Sequence, residues 1–269
     1  MWPVTAIGVW PSEPVTGSLA ERAYFAVRDR LLTLAIPPGA PIQEDRLCTE
    51  LGLGRTPVRE AIKRLEAEHL VVVYPRRGTF ATEIDIADHA LVADVRRHLE
   101  SMAAERAALH HTRADEEALS ALRSEIEAVA GVPLVDSRPG GRGAGGRDAG
   151  GRAAGGRGDG GRRGAAARRG DPAERDALMA LDGRLHQAVY RSTRNPYLEA
   201  TLGQYYNLAL RLWYVFMDRL DDVAGHVGGH AALVDAVLAG DAPEASRLAS
   251  EHVEAFERAV LEAELNPPA

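Results

Sequence analysis

Two sets of residues in this 269-residue chain could do chemistry. The first is Asp182, His186, His230 and His252. Asp182 and His186 stand at i and i+4, so on a helix both side chains leave the same face. His230 opens a segment whose Leu233 and Val237 form an apolar stripe. His252 shares a helical face with Leu248 and Phe256, which points it inward. One carboxylate and three imidazoles from three helices make a donor set suited to Zn²⁺, with Ni²⁺ or another first-row divalent ion as alternatives. Spacing alone also allows a plainer reading, because a lone histidine on an apolar face is more often a core or capping residue. His98, His110, His111 and His226 are placed in that plainer class.

The second set is basic. In Leu51-Gly-Leu-Gly-Arg-Thr-Pro-Val-Arg-Glu-Ala-Ile-Lys-Arg-Leu65, a tight turn leads into a short helix that begins with arginine. Thr56 is expected to cap it and Pro57 to take its first helical position. Val58, Ile62 and Leu65 recur at i, i+4 and i+7 and give a buried face, while Arg55, Arg59, Lys63 and Arg64 project elsewhere. A docked short helix with cations at its outer N-terminal end is what reading a DNA major groove requires. A single basic helix could equally be a solvated face, so its neighbours decide.

Those neighbours form a compact module. Ser18-Leu-Ala-Glu21 is a capping-box pattern that opens a helix to about Ala35, which Pro37-Pro38-Gly39 ends. A second helix over about Glu44–Leu51 leads through Gly52 and Gly54 into the arginine-led helix, the spacing of a helix-turn-helix. Val71-Val-Val-Tyr74 reads as a strand, Pro75-Arg-Arg-Gly78 as a turn and Thr79–Thr82 as a return strand. The hairpin is a wing whose tip residues Arg76 and Arg77 could reach phosphates or the minor groove. With turn, helix and basic-tipped wing in that order, DNA binding is preferred over a solvated face.

Outside this module the chain reads as helices: about Ala87–His110, Ala114–Ala130, Asp171–Ser192, then 196–218, Val227–Ala239 and Pro243–Leu265, the last capped by Asp241-Ala-Pro-Glu244. Helices with short connections form an antiparallel bundle that can hold a ligand or metal at its centre. The expected organisation is a loose extension over 1–17, a winged helix-turn-helix over 18–83 and an all-α ligand-binding domain over 84–266. Residues 131–170 interrupt the last with five tandem Gly-Gly-Arg-x-x pentapeptides and a basic tail, too glycine-rich and apolar-poor to offset the entropy of ordering. The fold class is mainly α.

Composition and charge agree. Sparse aromatics with abundant alanine and leucine favour helices. The net charge of −7 is unevenly divided. Residues 19–82 carry ten Lys/Arg against eight Asp/Glu, and 131–172 carry nine Arg against four Asp, so the remainder is strongly acidic. A basic module joined to an acidic partner suits a regulator better than a nonspecific coating protein. Lys63 is the only lysine, so arginine in the repeats is weak evidence for a nucleic-acid arm, and a neutral expansion is preferred. Cys48 is the only cysteine, which excludes an internal disulfide and suits a reducing compartment. No run of about 18 apolar residues suggests a membrane span. Residues 1–17, with Trp2 and Trp10, lack the charged start and apolar core of a signal peptide. A cytoplasmic location is expected.

The run from Leu19 to Ala81 resembles the winged helix of GntR-family transcription regulators. The matching signatures are Pro38-Gly39, Leu51-Gly52, Arg55-Thr-Pro-Val-Arg-Glu-Ala61 and Pro75-Arg-Arg-Gly78. The resemblance implies that Arg55 and Arg59 contact operator DNA, with Thr56, Lys63 and the wing residues Arg76, Arg77 and Gly78 assisting. The chain departs from the family at Gly54, Asp45, Cys48 and His69, the last where a glycine usually ends the recognition helix. The C-terminal part is similar to the FCD effector domain of the FadR-like subfamily, through Asp94-Val-Arg96, Leu99-Glu100, Asp182 to His186, Asn195-Pro196-Tyr-Leu198, His230, Gly240-Asp241 and His252. This second resemblance implies a metal at Asp182, His186, His230 and His252 that anchors a small carboxylate effector. It also implies a role for Arg96 in holding that carboxylate, against the alternative of an Arg96–Glu100 salt bridge. Together they imply a homodimeric, ligand-responsive regulator, a repressor at a pseudo-palindromic operator, with no membrane partner and no enzyme activity. Two alternatives stay open. One is a metal-dependent enzyme tethered to DNA, disfavoured because no further carboxylate or histidine is placed as a general base. The other is a sensor for which the metal itself is the signal.

Overall fold

The computed structural model describes residues 17–130, 172–217, 219–220 and 222–265. Most of the expected N-terminal extension and the whole Gly-Gly-Arg insertion lie outside them. The described chain runs α1 (Leu19–Leu32), β1 (Pro41–Ile42), α2 (Glu44–Leu51), α3 (Arg55–Ala67), β2 (Val71–Tyr74), β3 (Gly78–Ala81), α4 (Ile86–His110), α5 (Arg113–Ala130), α6 (Pro172–Ser192), α7 (Pro196–Phe216), α8 (Val223–Gly228), α9 (His230–Leu238) and α10 (Ala242–Leu265).

The capping box at Ser18 forms in both directions, Ser18 accepting from the Glu21 amide and Glu21 from the Ser18 amide. Gly52 ends α2 in the left-handed conformation, at φ 63°, which glycine adopts without steric cost. Val58, Ala61, Ile62 and Leu65 bury the inner face of α3 against α1, through Ala23, Tyr24, Val27 and Leu31. Tyr24 donates to Glu68 at 2.7 Å and thereby ties α1 to the end of α3. The wing is antiparallel, with Val71 opposite Ala81 and Tyr74 opposite Gly78. At its tip Arg76 and Gly78 take positive φ.

Several local readings need correction. Gly54, not Thr56, precedes α3 as its cap, and it offers no side-chain hydrogen bond. Thr56 therefore lies inside the first turn and Pro57 third in the helix, where a missing N–H still costs nothing because first-turn donors have no helical acceptor. Arg64 does not share the outer face: its guanidinium lies 3.6 Å from the Tyr24 ring centroid and bonds Glu68. Helix α1 stops at Leu32, and Leu34 takes φ 59°. A two-residue strand, β1, pairs with β3 and completes a three-stranded sheet. The single helix expected over Val227–Ala239 is two, α8 and α9, which meet at Gly229.

The helices of the second half enclose one core. Among the described residues, α4 and α10 pack along one another extensively. Ala103, Ala104, Ala107 and Ala108 on α4 and Ala245 and Ala249 on α10 are buried, and such small side chains let the helix axes approach closely. Helix α6 brings Asp182 and His186 to the centre of this bundle. Helices α7, α9 and α10 close around them.

Candidate metal centre and nucleic-acid interface

The bundle brings Asp182, His186, His230 and His252 together. Each offers a ligand atom, and these atoms all lie within 4.8 Å of one another. Asp182, His186 and His230 are buried to 4% exposure or less. The Tyr206 hydroxyl donates to Asp182 Oδ2 at 2.8 Å. Burial, and then the Asp182 charge, push that phenol well above its ordinary range, so it remains a donor. The Tyr190 hydroxyl donates to Glu100 Oε1 at 2.6 Å, which leaves its oxygen to accept from His186 Nδ1–H at 3.1 Å. Glu100 Oε2 lies 3.4 Å from the same nitrogen. His230 Nδ1 donates to the Val227 carbonyl at 3.1 Å.

In the tautomer with Nδ1–H on both rings, His186 and His230 each present a lone pair on Nε2, and the two Nε2 atoms face each other at 3.2 Å. Asp182 Oδ1, buried, has no hydrogen-bond partner and lies 3.6 Å from His230 Nε2. In that tautomer two lone pairs and an unpartnered carboxylate oxygen lie close together, an arrangement that a cation between them would satisfy. Outer-shell donors that orient imidazoles toward a common centre are the usual company of a metal site. The donor set therefore fits a first-row divalent ion. The cavity among these residues is about 10 Å³, the room of a single water-sized species.

Burial lowers His230 and His252 toward the neutral form that metal ligation needs. It takes His230 to about 4 against a partial counter-pull from Asp182, and it carries His252 well below its ordinary value. His226, read from sequence as a core or capping residue, also lines this cavity, with its ring 4.3 Å from that of His252 and 4.5 Å from that of Trp213. Burial lowers it to about 3. His98 and His111 instead bond carbonyls on their own helix. Arg96 borders the cavity, and its Nη2 pairs with Glu100 Oε1 at 2.9 Å, so the Arg96–Glu100 salt bridge is realised.

A pH dependence follows. A histidine whose folded pKa lies below its unfolded value near 6.5 binds fewer protons when folded, so its contribution to stability is complete above 6.5 and is lost as pH falls toward the folded value. With His226 at about 3 and His230 at about 4, the urea midpoint of metal-stripped protein should decline steadily from pH 6.5 to 4. The His230→Phe variant should decline less. Equal slopes for both proteins would contradict the burial of a neutral His230.

At the other end of the molecule, Arg55 and Arg59 project from the first turns of α3 into solvent, their side chains 67% and 62% exposed. Asp45 pairs with Arg55 at 3.1 Å and Glu44 with Arg59 at 2.7 Å. Such exposed pairs contribute only about 0–1 kcal/mol, so DNA can take over the guanidinium groups at little cost. Thr56 and Lys63 are exposed on the same helix, and Arg76, Arg77 and Gly78 are exposed at the wing tip. The carboxylates that preorganise the two arginines have no local sequence signature, because they depend on how α2 docks on α3.

An exposed arginine-led helix and a basic wing, set on a helical bundle with a polar cluster in its apolar core, define a DNA-binding regulator. The profile of bacterial regulatory proteins of the gntR family matches residues 19–81, and that of the FCD domain matches residues 162–255. An HTH-type transcriptional regulator of Agrobacterium vitis, from the TAR-I ttuE-ttuC' intergenic region, is 33% identical over 118 residues, 44% of this chain and 69% of that protein. The HTH-type transcriptional repressor RspR of Escherichia coli K12 is 30% identical over 98 residues, 36% of this chain and 41% of that protein. Among solved structures, E. coli McbR/YncC superposes with a TM-score of 0.69 at 18% identity, covering 93% of this chain and all of that one, which is a likeness of fold. The chain belongs to the GntR family of bacterial transcription regulators and carries a C-terminal FCD domain. No helix among the described residues is long and apolar enough to cross a membrane.

Proposed function

We propose that this chain is a ligand-responsive cytoplasmic repressor, with residues 18–83 as its DNA-binding unit and residues 84–266 as a metal-containing sensing unit. The observation that carries the reading is the convergence of four donors, three of them buried, with an unpartnered Asp182 Oδ1 and two facing Nε2 atoms. Asp182, His186, His230 and His252 would hold the ion, zinc first. When bound, the ion supplies a Lewis-acid anchor for a small carboxylate. Arg96 borders the same cavity and is the nearest guanidinium fork for the ligand's second oxygen. The cavity has room for an ion alone, so carboxylate entry requires Arg96 to leave Glu100 and the lining side chains to retreat. That rearrangement is the switch. It favours a geometry whose recognition helices no longer match two half-sites.

The repressor sign follows the 30% identical RspR, a repressor by name. A homodimer is favoured by α4, where Leu91, Val95, Met102 and Leu109 lie on one face and are 36–65% exposed. Met102→Asp should therefore shift the sedimentation coefficient from dimer to monomer, and an unchanged coefficient would remove this face from the interface. The relatives are regulators, and no turnover of the effector is expected.

The test begins with operator DNA selected from a random pool. Zinc-loaded protein on that DNA is titrated with malonate or succinate. Release by either acid, absent in His252→Ala, is the expected result. Release by zinc alone would make the protein a metal sensor. Operator binding that no acid and no metal alters would sink the proposed switch.

A further inference from the structure

A second cavity, of about 460 Å³, lies where the winged helix meets the bundle. Small-molecule sites occupy roughly 300–1,000 Å³, so this space can take an organic ligand, whereas the histidine cluster as it stands cannot. Thr82 and Glu83 at the exit of β3, His89 and Val92 on α4, and Leu208 and Arg211 on α7 contribute to its walls.

Two buried polar side chains border this cavity with unmet hydrogen bonds. Arg211 is 3% exposed. Its Nη1 and Nη2 donate to Thr82 Oγ1 and the Thr82 carbonyl, both at 2.6 Å, and its Nε has no partner. Among the described residues no carboxylate pairs with this guanidinium. Burial lowers it to about 10, with Glu83 as the partial electrostatic offset. A buried cation with one side of its fork free is half of an anion site. His89 is 2% exposed and neither ring nitrogen has a partner. A neutral imidazole offers one donor and one acceptor, and here both are buried without a partner. The walls between them, including Val92, Leu208 and Leu212, are apolar. Exposed Glu83, Asp85 and Asp88 also line the cavity. Their charge weakens the binding of any anion and weighs most against a second negative charge on a ligand.

We propose that this junction cavity is a metal-independent site for a monocarboxylate with an apolar body. The carboxylate bonds Arg211 through Nε, the body lies along α4 and α7, and His89 bonds a polar substituent. Because the anchor also holds Thr82, which directly follows the wing strand β3, occupancy is coupled to the base of the wing. The proposal draws on the family's DNA binding but not on the metal site.

The experiment is calorimetric titration of the zinc-loaded full chain with hexanoate and with 4-phenylbutyrate, and with hexanol as the uncharged control. At least one acid should bind, and hexanol should bind at least about tenfold more weakly. Arg211→Gln should lose about tenfold or more, and Val92→Trp, which fills the cavity from α4, should lose binding as well. His252→Ala should bind the acid as wild type does, which separates this site from the metal centre. The proposal is overturned if neither acid binds, if hexanol binds equally, or if binding is lost in His252→Ala and kept in both cavity variants.

Discussion

Arg59→Ala is expected to weaken operator binding by about 1–3 kcal/mol, roughly 5- to 150-fold, with Arg55→Ala similar and the double variant weaker still. Both side chains are mostly exposed, so each variant should unfold within about 0.5 kcal/mol of wild type, and the loss can be assigned to the DNA contact. The two roles an arginine can play separate in a salt titration. A phosphate contact lowers the salt slope by about one unit and weakens all sequences alike, whereas a base contact relaxes preference at one operator position. Fluorescence anisotropy on selected operator and on scrambled DNA would read both. Wild-type affinity in both single variants would mean that the exposed arginines of α3 are a solvated face after all.

The second large effect concerns the bundle. Free zinc at about 100 times its dissociation constant should stabilise the folded chain by about 2.7 kcal/mol, which for a chain of this size raises Tm by roughly 5–10 °C. His230→Ala removes one of the two facing Nε2 donors and should abolish the zinc-dependent rise. Tyr206→Phe keeps all four ligands but strips Asp182 Oδ2 of its donor, and should lower zinc affinity by about 10- to 100-fold. Scanning calorimetry with and without chelator reads all three proteins. Identical melting of wild type with and without zinc would contradict the site.

The winged helix was the most legible part of the chain because its signals are local. The Ser18–Glu21 box, the left-handed Gly52 and the Pro75-Arg-Arg-Gly78 turn each depend on a few adjacent residues. The differences there are local too, a two-residue shift in which residue caps α3 and an arginine, Arg64, drawn inward by the Tyr24 ring. In the bundle, helical spacing selected Asp182, His186, His230 and His252, since each shares a face with core residues. It does not reach His226, which stands just before the helix expected over Val227–Ala239 and belongs instead to α8. The phenols that orient the ligands are not donors of any metal-site pattern, and Tyr206 reaches Asp182 only through the packing of α7 on α6. The junction cavity had no sequence signature, because Arg211 and His89 acquire their unmet hydrogen bonds only when the two halves meet.

Elemental analysis of natively purified protein, with His230→Ala beside it, tests the central claim most directly. The account expects about one divalent ion per chain in the wild type, in keeping with a single four-ligand site, and none in the variant. A wild type that carries no ion and takes up none when zinc is restored would contradict it, and would return the three histidines to the core.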